Sequence, residues 1–150
     1  MITDRLNTFC KATALNTGAA GSYLIGDVID LGDERDIGQG EPLYLVIQVD
    51  TLATSGSTAT GTFSLCSDAQ EAIAVNGSQT THLVSPTFAV AAMTAGKSIL
   101  VAVLPREGNA YERYLGIVQT TASAAFTAGK IDAFLTMDPA GWKAYADGDN

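Results

Sequence analysis

The sequence predicts an all-β fold: a jelly-roll-like sandwich of about eight antiparallel strands, built as one domain over residues 1–150. Three observations predict it. Apolar residues recur with period 2 in several separate runs. No stretch holds a 3.6-residue apolar period over about ten residues, so under about a tenth of the chain is expected in helix. Clusters of Gly, Pro, Asn and Ser punctuate the runs, as short strands joined by turns require.

Taken in order, Ile2, Leu6 and Phe9 mark a single helical turn with Thr3 as its cap. Residues 9–15 and 26–31 are weaker strand candidates. The turn Gly38-Gln39-Gly40-Glu41-Pro42 leads into Leu43-Tyr44-Leu45-Val46-Ile47-Gln48-Val49, whose odd positions are all apolar. Thr62-Phe63-Ser64-Leu65 alternates cleanly. Residues 82–90 are interrupted by Pro86, which lacks an N–H for a ladder, so they form an edge strand or two short pieces. Residues 98–104 are apolar on both faces and are expected to form a central strand covered on both sides. Residues 114–119 and 131–136 complete the set. Leu45, Ile47, Phe63, Leu65, Val101, Val103, Leu115, Ile117, Ile131 and Leu135 are the expected core. Thr94-Ala95-Gly96-Lys97 and Thr127-Ala128-Gly129-Lys130 read as one reused turn before a strand, with Gly at positive φ and Lys in solvent.

Composition bounds the function. With 16 acids and 8 bases the net charge is −8. That argues against nucleic acid, which needs clustered Lys and Arg, and against an anionic membrane surface. The 47% apolar and 16% charged content suits an ordered chain. No apolar run approaches the roughly 20 residues of a membrane helix. Met1-Ile2-Thr3-Asp4-Arg5 has no apolar signal core, so export is not expected. Cys10 and Cys66 are not spaced as a metal pair and are read as small buried hydrophobes, with one disulfide as the alternative.

Catalytic chemistry is scarce. Ala95-Gly96-Lys97-Ser98 resembles the end of a phosphate loop, but Ala91 stands where that loop needs Gly and a strand follows instead of a helix. His82 is the only histidine and reads as a solvated or hydrogen-bonded surface residue. No Gly-x-Ser-x-Gly elbow is present. The acids of residues 27–41 lack the spacing of a Ca²⁺ loop and read as a solvated loop in which Arg35 pairs locally. No catalytic residue, metal ligand or cofactor is assigned. Asn76-Gly77-Ser78 reads as a hairpin turn, and Trp142 as either a lid on the sandwich or an interface anchor.

Several segments in order carry a family likeness. They are Val28-Ile29-Asp30-Leu31-Gly32, Arg35-Asp36-Ile37-Gly38, Gly40-Glu41-Pro42 with the strand that follows, Glu112-Arg113-Tyr114-Leu115, residues 126–135, Met137-Asp138-Pro139 and Trp142. In this combination the chain resembles the small capsid cement (decoration) proteins of tailed bacteriophages, the jelly-roll family of short-tailed phages. Residues 53–95 match it poorly. The resemblance implies a virion structural protein on the outer surface of the head, assembled in the host cytoplasm. Such a protein binds the major capsid protein, bridges capsomers and stabilises the shell against packaged DNA. It implies self-association, with a homodimer favoured over a homotrimer, and no catalytic residue to carry over. The alternative is a carbohydrate- or receptor-binding jelly roll on the virion, which needs exposed aromatics in a groove. The expected capsid contacts are Ile2, Leu6 and Phe9 on one apolar face, the alternative being that these three cap one open end of the sandwich, and Asp33, Arg35, Asp36 and Glu41 on a polar rim. Tyr114 and Trp142 are the expected oligomer contacts.

Overall fold

The computed structural model describes residues 4–33, 37 and 40–139. Within them the chain forms β1 (Thr8–Ala14), β2 (Gly21–Asp30), β3 (Tyr44–Ser55), β4 (Thr60–Asp68), β5 (Thr80–Val84), β6 (Phe88–Ala89), β7 (Ser98–Val103), β8 (Tyr114–Ala122) and β9 (Phe126–Thr136). One sheet has the order β1-β9-β3-β7. The other has β2-β8-β4-β5, with β6 also on β4. Every pairing is antiparallel.

The pairs β1–β9, β2–β8, β3–β7 and β4–β5 are nested. The chain is therefore one long hairpin, rolled until β9 meets β3 and β8 meets β4. That is a jelly roll, as expected. Its core lies between the sheets and includes Leu45, Ile47, Phe63, Leu65, Leu115, Ile117, Ile131 and Leu135, with Phe9, Met93, Leu104 and Phe126 beside them. A smaller cluster, Cys66, Ile73 and Val118, has Leu24, Val28 and Tyr114 packed against it.

Residues 82–90 form two short pieces around Pro86. Ser85 bridges the break: its hydroxyl accepts the Phe63 N–H at 2.9 Å and donates to the Pro86 carbonyl at 2.8 Å.

Three expectations are corrected. β7 is an edge strand paired only with β3, and Val101 and Val103 are 49% and 46% exposed. The register slips between Ile47↔Leu100 and Gln48↔Ser98. Ile99 is thereby buried, Leu100 packs on the core, and Val101 and Val103 turn outward. Strands covered on both faces are β3, buried from Leu45 to Asp50, and β8, buried from Leu115 to Gln119. A strand's own alternation does not encode its place in a sheet, and apolar side chains are often exposed. The second correction concerns residues 127–130. They lie inside β9, not in a turn, although Gly129 does take φ +133° and Lys130 is exposed. A side chain at Gly129 would meet the Ala53 backbone at 2.9 Å, so the glycine serves close strand approach. The third concerns the N-terminus. Its one helical turn is a 3-10 turn at Arg5–Asn7, and the cap is Asp4, whose carboxylate accepts the Leu6 N–H at 3.0 Å.

Ala12 stores strain. It sits at a register shift of β1 with φ +47°, and its N–H donates to the Asp132 carboxylate at 2.6 Å. Ala12→Gly keeps that bond and removes the steric penalty of a left-handed alanine. The variant is expected to gain about 0.5–1 kcal/mol, read as a higher urea midpoint.

Candidate functional site

Three surface regions and one buried polar cluster account for the residues that sequence reasoning singled out. The first is the acidic segment after β2. Asp27, Asp30, Asp33 and Glu41 are exposed. Arg35 and Asp36 lie outside the described residues. Asp30 Oδ1 accepts the Gly32 N–H at 2.7 Å, and its ion-pair partner is distant in sequence. Arg113 reaches it from the start of β8 as a fork, Nε to Oδ1 at 2.8 Å and Nη2 to Oδ2 at 2.9 Å. The guanidinium holds the Asp30 carboxyl down at about 2 and is itself held charged. Its Cζ lies over the Tyr114 ring, 4.9 Å from the centroid. The fork joins the β2 end to the β8 start, and the Leu31 N–H on the Arg113 carbonyl at 2.9 Å doubles the tie.

The second region is the N-terminal turn. Leu6 is 79% exposed, but Phe9 belongs to β1 and is buried in the core. The two therefore do not share an apolar face, which corrects the expected grouping. Ile2 lies outside the described residues. The 3-10 turn ends one residue before β1, so strand alternation takes over and points Phe9 inward.

The third region is the β7 edge. Its six residues carry no charge, and Val101 and Val103 are both half-exposed there. Sequence reasoning placed these valines in the core and so missed the edge. Tyr114, by contrast, is half-buried against the Cys66–Ile73–Val118 cluster. Trp142 lies outside the described residues.

The buried cluster is built around His82 of β5. Its ring stacks on Tyr111, with centroids 3.9 Å apart and planes 16° off parallel. Its Nε2 lies 2.8 Å from Ser67 Oγ on β4. Ser67 Oγ accepts the Glu112 N–H at 3.1 Å, and Thr80 Oγ1 donates to Glu112 Oε1 at 2.7 Å. Tyr111 O–H donates to the Pro105 carbonyl at 2.9 Å. Burial pushes the imidazole below its ordinary range, partly opposed by the Glu112 carboxylate. His82 is thus hydrogen-bonded, as one of the two sequence readings had it, and half-buried. Although a hydroxyl meets an imidazole here, Ser67 is wholly buried, so no substrate carbonyl can approach it.

Cys10 and Cys66 are free and buried. Burial raises both thiols, Cys10 to about 12, which leaves them unreactive. Among the described residues no three His, Cys, Asp or Glu side chains gather as a metal site, and no helix is long and apolar enough to cross a membrane. Among the described residues, two of the aromatics that a glycan groove could use are engaged. Tyr23 is half-buried with its O–H on the Ala19 carbonyl, and Tyr111 is buried.

No curated protein matches the chain. A protein-family model does match, across β1 to β9 with only the ends outside it. By that match over residues 9–135, the chain belongs to the Bbp16 family.

Proposed function

We propose that the chain is a capsid cement protein, a virion structural protein on the outer surface of a phage head. It binds the major capsid protein, bridges neighbouring capsomers and stabilises the shell by contact area instead of chemistry. The observation that carries this reading is the family match over the whole jelly-roll body, under a name that is phage-associated. The sites support it. The only hydroxyl–imidazole pair described is sealed, and the described surface offers acidic and apolar contact regions. The protein acts without cofactor or metal and is not an enzyme. Assembly takes place in the host cytoplasm, and neither nucleic acid nor membrane is a partner. The charge of −8 suits a partner face with basic groups.

On this reading Leu6, Asp33 and Glu41, all exposed, belong to the capsid-facing surface. Self-association, with a homodimer favoured, uses the uncharged β7 edge, since an apolar edge strand left bare invites pairing. The test is cosedimentation of the purified protein with heads that lack it, alongside a variant without residues 1–7. That truncation removes the N-terminal turn and leaves β1 whole. The full chain is expected to saturate the heads. The truncated chain is expected to keep its melting temperature within about 2 °C, since residues 4–7 are all exposed, yet bind more weakly. Absence of binding by the full chain contradicts the reading. Undiminished binding by the truncated chain removes the N-terminus from the contact.

A further inference from the structure

We propose that Asn76 is a self-modification site: in the folded chain its side-chain amide is converted, without an enzyme, to an aspartyl or isoaspartyl residue through a cyclic imide with Gly77. The inference goes beyond the cement reading and holds independently of it.

Asn76-Gly77-Ser78 lies in the connection between β4 and β5, and all three residues are exposed. Cyclisation needs the Gly77 nitrogen to reach Asn76 Cγ, and a side chain on the following residue obstructs that approach. Gly77 has none, and the space where a Cβ would stand is open. Its φ of +97° is one that glycine adopts at no steric cost. The Asn76 side chain is already folded back along its own backbone, in a turn closed by the Ser78 N–H donating to Asn76 Oδ1 at 3.1 Å. The Ser78 hydroxyl donates to the same oxygen at 2.8 Å.

Those two donors meet the atom on which charge develops. Hydroxide takes the Gly77 amide proton, and the nitrogen's electron pair forms a bond to Asn76 Cγ. The carbonyl pair moves onto Oδ1, where both Ser78 donors stabilise the oxyanion. When the carbonyl re-forms, the Cγ–Nδ2 bond breaks, and the nitrogen leaves as ammonia with a proton from water, which restores the hydroxide. Water then opens the imide. Attack at Cγ gives Asp, and attack at the main-chain carbonyl gives isoaspartate. The net change is one water consumed and one ammonia released, with no oxidation or reduction. The contact that opposes the first step is the Gly77 N–H donating to Gln79 Oε1 at 2.9 Å, which shields the proton. Gly77 is exposed, so opening that single bond hands the N–H to solvent.

Each conversion adds one carboxylate to a chain already at −8. The isoaspartyl product also lengthens the main chain by one carbon, in the connection whose Ile73 is buried against Gly116.

The test incubates the intact protein and Ser78→Ala at pH 8, each folded and in urea. Conversion of Asn76 is read by peptide mass spectrometry, as the mass difference between an amide and an acid. Ser78→Ala keeps the backbone donor and removes the hydroxyl, and the residue is exposed, so the fold is kept. The folded variant is expected to convert about two- to tenfold more slowly than the folded unaltered protein, the worth of one hydrogen bond. In urea, where the turn is lost, the two chains are expected to convert at the same rate. The proposal is overturned if Asn76 stays an amide in the folded protein while the unfolded chain converts. It is equally overturned if folded Ser78→Ala converts as fast as the unaltered protein, or if its slowing persists in urea.

Discussion

Gly26→Ala is expected to lower the melting temperature by roughly 10 °C, a loss of about 3–5 kcal/mol, although the residue is on the surface. Gly26 sits at a register shift of β2 with φ +75°, a left-handed backbone that alanine resists. A Cβ there would fall 2.2 Å from the Phe9 carbonyl oxygen and 2.5 Å from Cys10 Sγ. The carbonyl belongs to β1, so relief requires moving one sheet's edge strand away from the other's. Conformational cost and clash therefore add. Gly77→Ala separates them, since Gly77 has φ +97° but open space around its Cα. It should lose only the conformational share, about 1–2 kcal/mol. Equal melting temperatures for the two variants would show that β1 and β2 are not in close contact.

Leu45→Ala is expected to cost about 2–5 kcal/mol, through lost burial and the cavity left between the sheets. Leu45 is fully buried near the start of β3. Val101→Ala, on the adjacent strand, should cost under about 1 kcal/mol, because half of that side chain is already in water. Urea denaturation of both variants tests the placement of β7 as well as the core. A Val101 loss as large as that of Leu45 would return β7 to a covered position.

The strands themselves were legible because period-2 alternation is a local property. Leu43 to Val49 and Thr62 to Leu65 show it without help from the rest of the chain. Pro86 likewise announced a break by lacking an N–H. What was not legible is relational. β2 starts at Gly21, earlier than the expected Gly26, because Gly26 looks like a boundary in sequence and is a bulge inside the strand. Residues 127–130 look like a turn because they repeat the turn at residues 94–97. Their glycine instead makes room for Ala53 and Leu15 on neighbouring segments. The sites were hidden for the same reason. Asp30 and Arg113 are 83 positions apart, and Ser67 and Glu112 are 45 apart, so no motif joins them. Only the nested pairing of strands brings β2 beside β8 and β4 beside both β5 and β8.

The capsid reading turns on where the molecule sits. The most direct measurement is a cryo-EM map of the heads that the proposal assigns the chain to, compared with heads assembled without it. The account predicts an added two-sheet sandwich on the outer surface that touches at least two neighbouring major capsid subunits and is absent from the control heads. Identical outer surfaces in the two maps, or a sandwich found only on the tail or inside the head, would contradict it.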